Sequence, residues 1–95
     1  MNKYEAMYIV NPNVADDARA ALVERFSGIV TNGGGNVEKI DDWGKRKLAY
    51  EIDDLTEGHY ILMHFESESS LPKELERNFK ISEDVMRFLV IRKEA

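Results

Sequence analysis

The side chains of this sequence that could do chemistry are few, and their spacing works against them. Its two histidines, His59 and His64, are separated by an odd number of positions, which puts them on opposite faces of a regular strand. They cannot then converge on one metal ion or share a proton relay. Adjacent carboxylates occur at Asp41-Asp42, Asp53-Asp54 and Glu83-Asp84. Strand neighbours diverge in the same way, so none of these makes an acid–base pair. With no cysteine, there is no thiol nucleophile, no disulfide and no thiolate-held metal. Gly33-Gly34-Gly35 has the composition of a phosphate cradle, but it follows a helical segment, and the helix dipole then points the wrong way. No nucleophile with a base emerges. The expectation is a protein that is not an enzyme and carries no metal or cofactor.

Binding chemistry is better represented. Lysine and arginine number 13 against 18 acidic residues, a net charge of −5, so nucleic acid is a plausible partner only if the cations are clustered. The densest run is Lys45-Arg46-Lys47, which on an edge strand would also block unwanted strand pairing. Lys3 at the start of the first strand comes beside Arg92-Lys93 at the end of the last in an antiparallel arrangement, and Arg87 projects from the same sheet. Such cations could be focused on phosphate. Tyr4 and Tyr60 could stack on unpaired bases. For Tyr60, core packing or a partner contact is the better reading, and Trp43 beside Gly44 reads as a packed turn anchor.

The elements that must position these residues follow from periodicity. Lys3 to Val10 alternates as a strand and stops at Asn11-Pro12-Asn13. From about Val14 to Thr31, Ala18, Ala21, Leu22, Phe26, Ile29 and Val30 form one helical stripe, with Asp16 and Asp17 near its positive end. The glycine run closes it. Asn36 to Asp54 reads as a long strand with a bulge near Asp42-Trp43-Gly44, because Val37 and Ile40 do not share the two-residue period of Leu48, Tyr50 and Ile52. A turn over Asp53 to Gly58 leads into a strand from His59 to about Ser67, making a hairpin. Ser69 or Ser70 can cap a second helix with Pro72 in its first turn and Leu71, Leu75 and Phe79 on its buried stripe. Val85 to Arg92 is the last strand, and Lys93-Glu94-Ala95 a short frayed tail.

The order β-α-β-β-α-β predicts an α+β, ferredoxin-like sandwich: one four-stranded antiparallel sheet, strand order 4-1-3-2, with both helices on one face. Ninety-five residues suit one domain, 1–95. A content of 43% hydrophobic and 33% charged residues is a soluble balance. No apolar run spans a bilayer, and the N-terminus does not read as a signal peptide, so a cytoplasmic location is expected. If Tyr4, Ala6, Tyr8, Val10, Ile61, Met63, Phe65, Met86, Phe88 and Val90 face the helices, the open face carries Met7, Ile9, Tyr60, Leu62, Leu89 and Ile91. A solvated face would alternate to polar residues. Apolar residues on three neighbouring strands instead predict a docking surface.

These residues also carry a resemblance. Tyr4-Glu5 before Asn11-Pro12, the run Trp43-Gly44-Lys45-Arg46-Lys47-Leu48-Ala49-Tyr50-Glu51-Ile52, then Gly58-His59-Tyr60, and Arg87 in the last strand resemble the bacterial small-subunit ribosomal protein number six family over essentially the whole chain. The resemblance implies a structural protein that binds the central domain of 16S ribosomal RNA as a heterodimer with ribosomal protein number eighteen. It places Arg46, Lys47 and Arg87 on family basic positions, whereas Lys3, Tyr4, Arg92 and Lys93 join the RNA-facing set on geometry and Lys45 joins it as part of the basic run. A basic partner would supply the charge that an acidic chain lacks. The competing reading is a dimeric small-molecule-sensing or regulatory domain of the same fold, its open face closed by a second copy. An acyl-phosphatase of this fold would need an arginine in a glycine-rich loop after the first strand, where this chain has Asn11-Pro12-Asn13-Val14.

Overall fold

The computed structural model describes residues 1–52 and 54–93. Its elements are β1 (Asn2–Val10), α1 (Asp16–Asn32), β2 (Asn36–Ile52), β3 (Leu55–Ser67), α2 (Leu71–Ile81) and β4 (Val85–Arg92). The strands form one antiparallel sheet in the order β2-β3-β1-β4, which is the expected order read from its other edge. Asp53 of the expected turn, and Glu94 and Ala95 of the expected tail, lie outside the described residues.

One sheet face meets both helices. Tyr4, Ala6, Tyr8 and Val10 from β1 and Ile61, Met63 and Phe65 from β3 are buried against Leu22, Phe26 and Val30 of α1 and Leu71, Leu75 and Phe79 of α2. The centre is aromatic. Phe26 and Phe79 meet edge-on at 4.6 Å, with Tyr8 at 5.1 and 5.0 Å from them, geometries that suit the ring quadrupoles. Ala18 and Ala21, expected on the α1 stripe, are exposed; the buried stripe is the narrower Leu22, Phe26 and Val30. Ser70 stands at the start of α2 but makes no side-chain cap bond, since its backbone is already helical there.

Two departures from the expected strands matter for the surface. Asp54, in the left-handed region, directly precedes β3, which begins at Leu55 and not at His59. Because β1 ends at Val10, opposite His59, the hairpin beyond that point is a two-stranded arm with no third strand beside it. Second, the register of β4 against β1 shifts between Ile9 and Val10. Met86 is the extra residue there. Its sulfur lies 3.7 Å from the point where a Cβ on Gly58 would stand, beside Ile9, instead of in the core with Phe88 and Val90.

Glycines mark where backbone must pass closely. A Cβ on Gly35 would come 2.7 Å from the carbonyl oxygen of Glu66, whereas one on Gly28, inside α1, meets nothing within 4 Å. Substitution should therefore act in opposite directions: Gly28→Ala should stabilise by about 0.5–1 kcal/mol through helix propensity, and Gly35→Ala should destabilise by about 1–3 kcal/mol through overpacking. Urea unfolding of the two variants beside the parent chain measures both signs.

Candidate functional site

The second face of the sheet has no helix over it, and direct cross-strand pairing sorts its side chains into rows. Asp41, Leu62, Met7 and Leu89 form one row; Gly44, Tyr60, Ile9 and Arg87 the next; Lys39, His64, Glu5 and Ile91 the third. Apart from Ile91, the third row, joined by Asp41 from the first, is polar and internally satisfied. His64 Nε2 lies 3.2 Å from Asp41 and its Nδ1 2.8 Å from Lys93 Nζ. Lys93 also pairs with Glu5 at 3.4 Å, and Lys39 with Asp41 at 3.3 Å. One network thus ties all four strands together.

The rest of the face, with Ile91 at its border, is apolar and aromatic. Leu89 and Ile91 are about half exposed, at 54% and 46%, and Met7, Leu62 and Tyr60 are half-buried. Grooves run between them, one of about 370 Å³ lined by Met7, Ile9, Arg87, Phe88 and Leu89. A further groove is bounded by Met7, Trp43, Leu62, Leu89 and Ile91. The hairpin arm curls toward this end, where Leu48, Tyr50 and Ile52 line a hollow with Ile9, Tyr60 and Arg87. Gly58 permits that approach, because a Cβ there would sit 2.3 Å from the Ile9 methyl.

Cations lie on aromatic faces at the same end. The Arg87 guanidinium is 4.9 Å from the Tyr50 ring centroid, and that of Arg46 is 5.6 Å from Trp43. Trp43 in turn stacks on Tyr60 at 6.5 Å with 13° between the planes. Such pairings hold a charge in place while leaving its outer donors free. Among the described residues no cluster of three metal-ligating side chains forms, and no helix is long and apolar enough to cross a membrane.

The residues expected to meet RNA do not form one patch. Lys45 and Lys47 pair opposite His59 and Glu57, and Arg46 opposite Gly58, so alternation sends the two lysines to one side of the arm and Arg46 to the other. Lys3, Arg92 and Lys93 gather at the opposite end of the sheet, roughly 23 Å away at about 3.3 Å per strand residue. There, Lys3 pairs with Glu38 at 3.5 Å and Arg92 donates to Asn2 at 3.0 Å. Tyr4 is corrected outright: it is 6% exposed and stacked on Phe65 at 5.4 Å, so it has no face for a base. Ile9 is also corrected. It points to the open side, as expected, but is only 4% exposed, because Leu48 and Met86 close over it where Gly58 has no side chain.

Trp43 and Tyr50 are surface residues that the strand reading passed over. Trp43, read as a packed turn anchor, is 43% exposed and Tyr50 55%. The available signal was the bulge itself. The register shifts between Asp42 and Gly44, with Gly44 left-handed at φ 75°, so Trp43 and Gly44 both face Tyr60. Counting alternation through that extra residue places Arg46 with Trp43 on the open side, where Leu48 and Tyr50 also line the hollow beside Ile9 and Tyr60.

On the covered side, Asp42 accepts hydrogen bonds from the Gly44 amide at 2.9 Å and from His59 Nε2. Burial raises its pKa, but the Gly44 amide, His59 and the charge of Arg19 outweigh that and hold the carboxyl below the usual aspartate range. Burial pushes the Tyr8 phenol far above its ordinary value, and the Asp42 charge adds to this.

Comparison with known proteins gives a consistent picture. The family described as ribosomal protein S6 matches residues 3–92. The chain is 53% identical over 91 residues to the small ribosomal subunit protein bS6 of Clostridium acetobutylicum, covering 96% of each chain. It is 48% identical over 92 residues to that of Thermoanaerobacter pseudethanolicus, covering 97% of each. Its structure is similar to the 30S ribosomal protein S6 of Thermotoga maritima, with a TM-score of 0.92 and 33% identity, covering 97% of this chain and 87% of that one.

The lowered folded pKa of Asp42 has a signed consequence. Its stabilising contribution is complete above the ordinary aspartate value, near pH 4, and is lost as pH falls through the lowered value. Asp42→Asn should therefore lower stability at neutral pH and flatten the acid limb of the unfolding curve below about pH 4. Acid titration of the two proteins by circular dichroism checks the slope.

Proposed function

The chain belongs to the ribosomal protein S6 family, and from that premise we propose how it serves as a structural component of the small ribosomal subunit: it binds the central domain of 16S ribosomal RNA together with small-subunit ribosomal protein number eighteen. One observation carries the reading. A sheet face with Leu89 and Ile91 about half exposed, and with Trp43 and Tyr50 beside them, has more apolar surface than a solvated sheet face retains. Met7, Leu62, Leu89 and Ile91, flanked by Trp43 and Tyr60, form the ground on which the partner protein sits. Each large side chain covered there is worth about 1.5–3 kcal/mol, so a few of them dominate affinity.

RNA contact in this reading belongs to the arm end. Arg46 and Arg87, oriented by Trp43 and Tyr50, and the exposed Lys45 and Lys47 act on phosphates. Cations on strands are too short to enter the deep RNA major groove, so they position the backbone and do not read bases. Lys3, Arg92 and Lys93 form a separate cationic edge that a second backbone segment would meet. The chain's net charge of −5 opposes RNA binding on its own. A basic partner on the apolar face removes that opposition, which makes assembly as a pair the economical arrangement. Its place is then on the ribosome in the cytoplasm.

Leu89→Asp should leave stability within about 0.5 kcal/mol, since the side chain is half in water, yet abolish pairing with ribosomal protein number eighteen. Co-purification of tagged protein with the small subunit measures this, and normal pairing by the folded variant would overturn the docking assignment. Arg46→Ala should retain pairing but weaken assembly on RNA, lowering the salt slope of binding by about one counterion. An unchanged slope would remove Arg46 from the phosphate set.

A further inference from the structure

We propose that His59, on the helix-covered side of the sheet, is the positioning residue for the docking face, and that it acts through Asp42 and the bulge at Gly44. The argument begins with parity. A regular β2 would carry the alternation of Asp41 and Trp43 onward to Lys45, Lys47 and Ala49 on the open side. The shift between Asp42 and Gly44 transfers that side to Arg46, and past a further shift after Lys47 the side chains of Leu48 and Tyr50 line the hollow beside Ile9. One extra residue therefore decides whether this part of the arm presents Lys45 and Lys47, or Arg46, to the open side.

The bulge is held by a single carboxylate. Asp42 Oδ1 accepts the Gly44 amide at 2.9 Å and the His59 ring Nε2. Since the carboxylate only accepts, the ring proton in this contact is on Nε2. His59 is 7% exposed, and its other nitrogen, Nδ1, is buried with no partner. An apolar residue would fill the same space without that penalty, so Asp42 is the polar reason for a histidine here. The consequence reaches the opposite face directly. Trp43 lies between Asp42 and Gly44, its ring stacks on Tyr60, and its carbonyl accepts from Arg46 Nε at 3.3 Å. Releasing Asp42 removes the contact that holds the bulge and with it the aim of Trp43 and Arg46.

The importance of this for ribosomal assembly rests on the docking reading above, but the geometry is tested on the free chain. Trp43 is the sole tryptophan, so its iodide quenching and anisotropy report its own orientation. His59→Leu and Asp42→Ala should each raise the unstacked Trp43 population roughly tenfold, the factor that one charge-assisted hydrogen bond commands. The double variant should go no further than Asp42→Ala, because without the carboxylate His59 has nothing to act through. His59→Gln, which keeps a donor of similar reach, should restore the parent signal. Leu75→Ala, a core change under α2, should lose stability without moving Trp43. If His59→Leu fails to fold, His59→Phe, which keeps an aromatic ring and lacks the Nε2 donor to Asp42, takes its place. Parent-like quenching in folded Asp42→Ala, additive effects in the double variant, or the same change in Leu75→Ala would each overturn the proposal. Incorporation of Trp43→Ala into the small subunit is scored separately: normal incorporation counts against the docking reading and leaves the fluorescence result to decide the role of His59.

Discussion

Two helices can cover only one face of a four-stranded sheet, and the surface chemistry of this protein follows from that constraint. Every large side chain that β1 and β3 send toward α1 and α2 is in the core. The same alternation must send as many side chains the other way. A sheet that lives in water meets this demand with polar residues on the outer face. Here only part of the face does so, through the linked Asp41, His64, Glu5 and Lys93, while the rest keeps Met7, Leu62 and Leu89, with Ile91 beside the polar group. The polar end closes on itself and the apolar end does not. That asymmetry separates the part of the face satisfied within the chain from the part that stays apolar at the surface.

Much of this was legible from the residues alone, because the informative signals are local. The helical stripe of Leu22, Phe26 and Val30, the stripe of Leu71, Leu75 and Phe79, and the glycine run after α1 are all patterns within one element. Strand order then followed from the handedness of the two crossovers. What failed were statements that depend on how elements meet. Tyr4 and Ile9 belong to the same strand and obey its alternation, but their exposure is set by Phe65 in one case and by Leu48, Met86 and the bare Gly58 in the other. Met86 was misplaced because a one-residue slip in β4 has no composition signal of its own.

The bulge in β2 shows the intermediate case. Its location was readable, since Asp42-Trp43-Gly44 breaks the period, and only glycine takes a φ of 75° without strain. Its effect was missed because parity was not carried through the extra residue, and so Trp43 and Tyr50 were left out of the candidate surface. The cations show the complementary limit. Adjacent positions in Lys45-Arg46-Lys47 look like one patch when counted along the chain, yet pairing against His59, Gly58 and Glu57 divides them between two sides. Charge density along a strand is not charge density on a face.

The same division explains how an acidic protein can keep a useful positive end. Carboxylates occupy many of the places where a free cation would otherwise be cancelled or dispersed: Glu38 takes Lys3, Glu5 takes Lys93, Asp16 takes Arg19 and Glu74 takes Arg77. Arg46 and Arg87 are instead held by rings, which orient a guanidinium without neutralising it. An arginine on a carboxylate has part of its field quenched and its fork engaged; one on an aromatic face retains both its charge and its outward donors. Placing those two arginines on tyrosine and tryptophan therefore keeps them available to a phosphate even within a chain of net charge −5. It also makes their direction depend on the rings beneath them, and for Arg46 on the bulge that brings it to the same side of the sheet as Trp43.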